Sequence, residues 1–350
     1  MKKAIRDAMI AKVAGDPLGQ VRLARALARD AYRAAAYRLV ADATAAAPGD
    51  REVRRIAAEV LSQCVGDSFF DVVRNEVRNA AHDKAIRRAI RPGMRVLEIG
   101  TGAGVFAMMA ARAGAEVVTC DMSTAMADTA RAIIAHNGLS DRIRVINSHS
   151  TSLTAADIGG PADLLISEVI LLSLLDKRGR EVMRHAAEQL LTPEAPMIPA
   201  RATVCVALAE DADLPGFRAG ASAGFDLSPL NRLAPPAYIT RHDGRGIMLR
   251  SAAGHVFTQD FDPRRGPAPS EGGVLLTAAG GRADGIVQWA LLALDESTRY
   301  ENVPGTPAQI GWEPVFFPFE RPRDFAPGTQ VAVRARQEGN RLHVWSEDAY

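Results

Sequence analysis

The sequence contains few cysteines and few aromatic residues, and it has no excess of charge of either sign. Its three cysteines, Cys64, Cys120 and Cys205, lie far apart and have neither disulfide nor metal-ligand spacing. We therefore expect reduced thiols in a cytoplasmic protein. The 42 Lys and Arg residues nearly balance the 41 Asp and Glu residues, which argues against nucleic acid or an anionic membrane as a partner.

Long apolar runs and histidine clusters are also missing. No run approaches the roughly 20 apolar residues that cross a bilayer, and the N-terminal stretch lacks the apolar region of a signal peptide. The seven histidines include no pair at i,i+4 spacing, so we expect no metal site. The remaining composition is that of a globular protein, and its 350 residues are enough for two domains.

Three stretches of the chain have different patterns. Residues 1–65 have apolar residues at helical spacing and resemble a single tetratricopeptide-type helical hairpin. Residues 66–198 alternate strand and helix patterns, which predicts a doubly wound, Rossmann-like α/β domain. Residues 199–350 contain short β-prone runs between Gly, Pro and Asn turns, which predicts an antiparallel barrel or sandwich. Within it, residues 211–236 form either a surface loop or an arm that contacts another subunit.

The most specific motif is Glu98-x-Gly100-x-Gly102-x-Gly104, which follows a predicted strand and directly precedes a predicted helix. Closely spaced glycines let the backbone turn sharply and approach a ligand, and the helix N-terminus adds free N–H groups. A dinucleotide fingerprint would need G-x-G-x-x-G, but position 105 is Val. The spacing therefore favours S-adenosylmethionine as the cofactor, with NAD as the alternative.

Asp121 supports the same cofactor. It ends the next predicted strand, EVVTCD, and lies 21 residues after Gly100. A carboxylate at this place can accept hydrogen bonds from both ribose hydroxyls of a bound nucleoside. We therefore expect Asp121, with Met122 beside it, to belong to the cofactor site. The plain alternative is a surface aspartate after a strand.

From about Phe69 to its C-terminus, the chain resembles the protein arginine methyltransferases, which are class I S-adenosylmethionine-dependent enzymes. The blocks that carry the resemblance include FFDVVRNEVRNAAHDKAIRRAI, the glycine motif with its following helix, and GWEPVFFPF. The resemblance implies a methyl-donor domain, a β-barrel and a head-to-tail homodimer joined by an arm, part of which is GFDLSPLNRL. It also implies that Arg78 reaches the methionine carboxylate, that Ser150 and Thr151 line the adenine, and that S-adenosyl-L-homocysteine is the product.

The family holds its substrate guanidinium between two glutamates on a hairpin. A guanidinium is planar and permanently charged, and two carboxylates can bind its paired N–H groups. In the stretch ISEVILLSLLDKRG, Ser167 and Glu168 match the first of these positions, and we expect both to contact the substrate. Lys177, nine residues after Glu168, stands where the second glutamate belongs.

Three explanations of this departure remain open. Asp176 takes the role of the second acid after a one-residue change in the loop. Alternatively, Glu168 holds the guanidinium with other polar groups, while Lys177 or Arg178 binds the α-carboxylate of a small substrate. In the third explanation, the pocket binds a different group, because an ammonium repels a guanidinium where the dielectric is low.

The segment IGWEPVFF departs from the family in a second place. Trp312 is retained, and we expect it to act in the catalytic site and to contact the substrate, but Gly311 replaces the family's His. Glu313 could supply a carboxylate, although a solvated turn residue is the plainer alternative. Losing the second glutamate and the His together indicates a remodelled acceptor pocket.

These observations predict an S-adenosylmethionine-dependent N-methyltransferase that acts on an arginine guanidino nitrogen. Small relatives in bacterial natural-product pathways methylate free arginine, so the resemblance favours free L-arginine or a small guanidine over a peptide or protein arginine. Two alternatives are a methyltransferase for another small-metabolite amine or hydroxyl, and a non-catalytic dimeric binding module. The retained donor motif argues against the second, since a non-catalytic domain need not keep it.

Overall fold

The structure is a computed structural model that describes residues 3–28, 32–66, 68–169, 176–240, 246–306 and 311–347. Residues 170–175 lie outside the described residues. They include part of the predicted catalytic hairpin between Glu168 and Asp176. Among the described helices, none is long and apolar enough to span a membrane.

Four helices form the N-terminal part: α1 (Lys3–Lys12), α2 (Pro17–Leu27), α3 (Arg33–Ala46) and α4 (Arg51–Ser62). The predicted hairpin corresponds to α3 and α4, and two further helices precede it. Asp50 starts α4, because its carboxylate accepts hydrogen bonds from the backbone N–H groups of Glu52 and Val53. The apolar faces of α2, α3 and α4 bury a small core of their own, which includes Leu39 and Ile56. A single hairpin could not bury such a face, and α2 completes it.

The next part is a five-stranded parallel sheet with the strand order β3-β2-β1-β4-β5. Its strands are β1 (Arg95–Ile99), β2 (Glu116–Asp121), β3 (Ile143–Asn147), β4 (Leu164–Ser167) and β5 (Met197–Ile198). Its helices are α5 (Phe69–Arg74), α6 (Glu76–Ala89), α7 (Val105–Arg112), α8 (Thr124–His136) and α9 (Lys177–His185). The strand order reverses at β1, which lies between β2 and β4. The carboxyl ends of these strands therefore form the crevice in which such sheets bind ligands.

The C-terminal part is antiparallel, as predicted. One sheet contains β6 (Arg201–Asp211), β9 (Tyr238–Ile239), β10 (Ile247–Leu249), β11 (Gly254–Asp260), β13 (Gly281–Ala293), β14 (Arg299–Glu301) and β15 (Val315–Phe325). A second sheet contains β12 (Glu271–Thr277), β16 (Gln330–Glu338) and β17 (Arg341–Ser346). Strand pairing among the described residues gives these two sheets rather than one closed barrel.

The predicted arm follows β6. It contains a two-stranded hairpin of β7 (Ala221–Ser222) and β8 (Phe225–Asp226), followed by a 3-10 helix (Ser228–Leu233). Five of its large apolar side chains are exposed to solvent: Phe217, Phe225, Leu227, Leu230 and Leu233. A stretch with so many exposed apolar side chains is typical of a surface that binds another protein.

Candidate functional site

The glycine motif forms a tight turn between β1 and α7. Gly100, Gly102 and Gly104 all have positive φ, at 89°, 51° and 75°, and Gly104 is the N-cap of α7. A Cβ on Gly100 would lie 3.0 Å from a methyl group of Val169, and one on Gly102 would lie 3.7 Å from the Phe69 ring. The turn therefore needs glycine for its backbone conformation at all three positions, and at Gly100 the close approach of Val169 also leaves little space for a side chain. These residues fit a cradle for a nucleoside cofactor.

Glu98 points into the domain below this turn. Its Oε2 accepts a hydrogen bond from the Thr119 hydroxyl at 2.6 Å, and the Thr119 oxygen lies 2.6 Å from the Thr101 hydroxyl. Burial raises the pKa of Glu98 to about 8, although the hydrogen bond from Thr119 opposes this shift. Glu98 is therefore mostly protonated at neutral pH. Its predicted role in cofactor binding stays a prediction, although it lines the cavity described below.

Asp121 lies at the carboxyl end of β2, beside the glycine turn. Its Oδ2 accepts from the backbone N–H of Gly102 at 3.2 Å, and its Oδ1 accepts from the N–H of Ser123 at 2.8 Å. The structure thus brings together the two halves of the predicted donor site and fixes the direction of the carboxylate.

Three other predicted cofactor residues lie at or after the neighbouring strand ends. Met122 follows Asp121 and is 72% exposed. Ser150 is buried in a short 3-10 turn, and the Thr151 hydroxyl lies 2.7 Å from Nδ1 of His149. The roles of these three side chains stay predictions.

A buried ion pair joins α6 to the end of β4. Asn75 starts α6 by accepting from the backbone N–H of Arg78, which places the Arg78 side chain on the first helical turn. Arg78 Nε donates to Glu168 Oε2 at 2.8 Å, and its Nη2 donates to the same oxygen. The guanidinium carbon also lies 4.5 Å from the centre of the Phe106 ring. The carboxylate predicted to hold a substrate guanidinium thus already holds one from its own chain.

This environment fixes the charge of Glu168. Burial alone would raise its pKa, but the positive charge of Arg78 and the contact with His82 lower the pKa to about 2. Glu168 is therefore ionised throughout the neutral range. An ionised carboxylate is the form that can orient a guanidinium.

His82 is a site residue that the sequence did not identify as functional. Its Nδ1 lies 2.9 Å from the backbone carbonyl oxygen of Arg78, and its ring stacks on Phe106 with a centroid distance of 4.3 Å. Its Nε2 lies 3.2 Å from Glu168 Oε1, although the two groups are not aligned as a hydrogen bond. The spacing of His82 in the sequence could have indicated its place in the site, because a residue four positions after Arg78 lies on the same face of a helix.

A cavity of about 180 Å³ joins these groups. Helix α5 covers it through Phe69, Val72 and Val73, while the glycine turn and the Arg78–Glu168 pair form its other walls. Ser167 lies at its edge, but the Ser167 hydroxyl donates to the carbonyl of Ile99 at 3.1 Å. Ser167 therefore ties β4 to β1, and its predicted contact with substrate stays a prediction.

Asp176 and Lys177 lie at the start of α9. Asp176 is the N-cap, and its Oδ1 accepts from the backbone N–H of Gly179 at 2.7 Å. Lys177 is exposed and lines a separate groove of about 590 Å³ between α9 and the segment after β11. Among the described residues, neither side chain lines the cavity that contains Glu168. The structure does not bring them to Glu168, and their proposed roles at the acceptor stay predictions.

The loop before β15 contacts the back of α5. Trp312 stacks on Tyr300 with a centroid distance of 5.8 Å, and its predicted contact with the substrate stays a prediction. Gly311 has a φ of 77°, and a Cβ there would lie 2.6 Å from the backbone carbon of Asp71. A side chain at position 311 would therefore overlap the backbone of α5. Glu313 is buried, so the alternative of a solvated turn residue is wrong.

Among the described residues, no cluster of three or more His, Cys, Asp or Glu side chains could hold a metal ion. The groups that line the cavity instead include the ionised Glu168 carboxylate, the Arg78 guanidinium and the glycine turn, and the His82 imidazole contacts the carboxylate from outside the lining. Such a set can bind a polar nucleoside and orient a cation beside it.

Comparison with known proteins agrees with this arrangement. Residues 96–194 match the family described as a methyltransferase domain. The chain is 33% identical over 282 residues to an arginine N(omega)-methyltransferase of Streptomyces achromogenes subsp. streptozoticus, and the match covers 79% of this chain and 78% of that protein. It is 34% identical over 219 residues to protein arginine N-methyltransferase 7 of Drosophila grimshawi, covering 60% of this chain but only 30% of that protein.

Two solved structures have the same fold. The Trypanosoma brucei PRMT1 enzyme–prozyme heterotetrameric complex with AdoHcy superposes with a TM-score of 0.67 at 22% identity, covering 80% of this chain and 93% of that chain. Arabidopsis thaliana protein arginine methyltransferase 10 superposes with a TM-score of 0.61 at 17% identity, covering 76% and 86%. The predicted order of a Rossmann-like domain followed by an antiparallel β domain is confirmed.

Proposed function

Because the chain belongs to the S-adenosylmethionine-dependent arginine methyltransferase family, we propose that it methylates a guanidino nitrogen of free L-arginine or another small guanidine. The observation that carries the proposal is the ion pair between Glu168 and Arg78. The ion pair supports the proposal, because the Glu168 carboxylate at the end of β4 is buried and ionised and already binds one guanidinium.

Two further observations favour a small substrate over a polypeptide. Helix α5 covers the cavity and packs against the loop at Gly311, so the described part of the cavity beside Glu168 is small, at about 180 Å³. In addition, the streptomycete relative, which matches over most of its length, is described as an arginine N(omega)-methyltransferase. A free amino acid also carries an α-carboxylate, for which Lys177 or Arg178 is the proposed partner.

The cofactor supplies a methyl group on a sulfonium when it is bound. We propose that Asp121 accepts hydrogen bonds from its ribose hydroxyls and that Met122, Ser150 and Thr151 surround its adenine. The described contacts of Arg78 use one N–H on each guanidinium nitrogen. Its Nη1 and Nη2 each keep a second N–H, and these can bind the methionine carboxylate while Arg78 still holds Glu168.

In this proposal, Glu168 orients the acceptor. Its carboxylate binds N–H groups of the substrate guanidinium, turns one nitrogen toward the donor methyl group and stabilises the charge that accumulates during transfer. Asp176 remains the proposed second acid, although one of its oxygens caps α9. Trp312 acts as a wall of the acceptor site through its stacking on Tyr300.

The test is a methyl-transfer assay with free L-arginine and an arginine-containing peptide in parallel, with products identified by mass. We expect methylated free arginine to form with the higher kcat/KM. A higher kcat/KM for the peptide would contradict the proposed substrate. No product from either, with S-adenosylmethionine binding measured and intact, would favour another small amine or hydroxyl as the acceptor.

We also propose a homodimer joined through the arm, residues 211–236. The exposed apolar side chains of this segment support the proposal, since burial of one leucine stabilises a complex by about 1.5–3 kcal/mol. Leu233→Asp is therefore expected to weaken the dimer about 10-fold or more in sedimentation equilibrium. Leu275→Asp, which alters a similarly exposed leucine of β12, is the matched control. Equal dimer stability in the two variants would contradict a role for the arm.

A further inference from the structure

We propose that His82 takes up, through Glu168, the proton that the guanidino nitrogen loses when it is methylated. This inference rests on the proposed function, because it needs a guanidinium as the acceptor. His82 acts through another residue and is not expected to touch the substrate. It is fully buried, and its ring lies between Phe106 and the Glu168 carboxylate.

The first step of the argument is the tautomer of His82. Its Nδ1 lies 2.9 Å from the backbone carbonyl oxygen of Arg78, and a carbonyl oxygen can only accept a hydrogen bond. Nδ1 must therefore carry a proton. In a neutral ring, Nε2 then has a free lone pair, and Nε2 is the ring atom that lies 3.2 Å from Glu168 Oε1.

The second step concerns the two facing atoms. His82 Nε2 and Glu168 Oε1 are 3.2 Å apart and buried, and neither has a hydrogen-bond partner among the described residues. Two lone pairs at this distance repel each other, and an unpaired buried polar atom is costly. A single proton between the two atoms would satisfy both. His82 Nε2 and Glu168 Oε1 can therefore share one proton. This proton is absent when both groups are unprotonated.

The third step concerns the surrounding charges. The groups that face His82 are Arg78 from its own helix, Glu168 from the end of β4, Phe106 from α7, and Tyr300 from β14 at a ring distance of 6.5 Å. Arg78 and Glu168 cancel each other, so a proton on His82 gives the site a net positive charge. Such a charge is unfavourable while a sulfonium and a guanidinium are both present, and it becomes acceptable once transfer has removed the sulfonium charge.

The proton balance follows from these positions. The attacking nitrogen forms a bond to the methyl carbon, and the electron pair of the broken carbon–sulfur bond stays on sulfur. The N–H bond then breaks, its electron pair stays on nitrogen, and the proton passes to the Glu168 carboxylate. Although burial raises the pKa of Glu168, the positive charge of Arg78 lowers it, so this carboxylate passes on a proton rather than keeping it. The proton therefore moves to His82 Nε2 and leaves to water after product release.

The first test does not depend on activity. We expect nitrogen NMR of the full chain to show a proton on His82 Nδ1. In Glu168→Gln the Nε2 signal of His82 should shift, because the carboxylate oxygen 3.2 Å from Nε2 has been replaced. An Nε2 signal that is unchanged in this variant would overturn the inference, whether or not arginine is the substrate.

The second test uses the reaction with free L-arginine. His82→Gln is expected to lower kcat about 10-fold, to change the KM for arginine less than about threefold, and to make kcat depend less on pH than in the unaltered protein. His185→Gln is the matched control, since His185 is a partly buried histidine that contacts the carbonyl of Leu153 at 2.9 Å. Identical kcat and pH profiles in the two variants would overturn the inference. If the unaltered protein does not methylate arginine, the proposed function fails, and the NMR test still decides whether the proton pair exists.

Discussion

Glu168→Gln is expected to lower kcat for L-arginine methylation by about 1,000-fold, with S-adenosylmethionine affinity within about threefold of its original value. The amide keeps the size of the side chain but cannot carry the negative charge that binds and orients the guanidinium. A glutamine can also still accept a hydrogen bond from Arg78 through its oxygen. The loss should therefore appear in the chemical step and not in donor binding, as measured by single-turnover kinetics and calorimetry.

Glu188→Gln is the matched control, because Glu188 is an exposed glutamate of the same domain. Breaking a buried ion pair is also expected to destabilise the domain, since Arg78 would be left without its counter-charge. Thermal unfolding of both variants separates that cost from the loss of activity. If the folded Glu168→Gln variant methylates arginine at a rate similar to the control, Glu168 is not the catalytic carboxylate.

Asp121→Asn is expected to weaken S-adenosylmethionine binding about 100-fold, with a much smaller effect on kcat at saturating donor. Two hydrogen bonds from ribose hydroxyls to a charged acceptor contribute about 1.5 kcal/mol each, and every 1.4 kcal/mol is about tenfold in Kd. The same substitution leaves a backbone N–H of Gly102 or Ser123 without its carboxylate acceptor. Isothermal titration calorimetry with S-adenosylmethionine and with its product measures the loss directly.

Asp141→Asn, which alters an exposed aspartate after α8, serves as the control for Asp121. We expect it to bind the donor like the unaltered protein. A Kd for Asp121→Asn within threefold of this control would show that the ribose is held elsewhere, and the assignment of the donor site to the end of β2 would then be wrong.

The geometry of the glycine turn and Asp121, the proposed donor half of the site, was largely predictable from the sequence. Three glycines at fixed spacing after an apolar run can form only a few backbone turns, and a carboxylate ending the next strand must lie beside them in a parallel sheet. The contact between Asp121 and the N–H of Gly102 follows from that geometry. Short sequence patterns determine the glycine turn and the end of β2, so these patterns are enough to predict how the two lie together.

The proposed acceptor half was less predictable, because it depends on contacts between distant segments of the chain. The spacing of Arg78 and His82 places both on one face of α6, but no local pattern shows that this face meets the end of β4. From the sequence, Lys177 was expected beside the substrate, in place of the family's second glutamate. In the structure, Lys177 lines a different groove. Helix capping by Asp176 explains that placement, since it fixes where α9 begins.

Gly311 limits how this pocket can evolve or be redesigned. Any side chain at position 311 would overlap the backbone of α5, and its left-handed φ adds a second penalty. A histidine introduced there would have to displace the helix that covers the cavity. A substitution of Gly311 alone is therefore expected to damage this cover. A side chain at position 311 needs a compensating change in α5, so these two segments constrain each other.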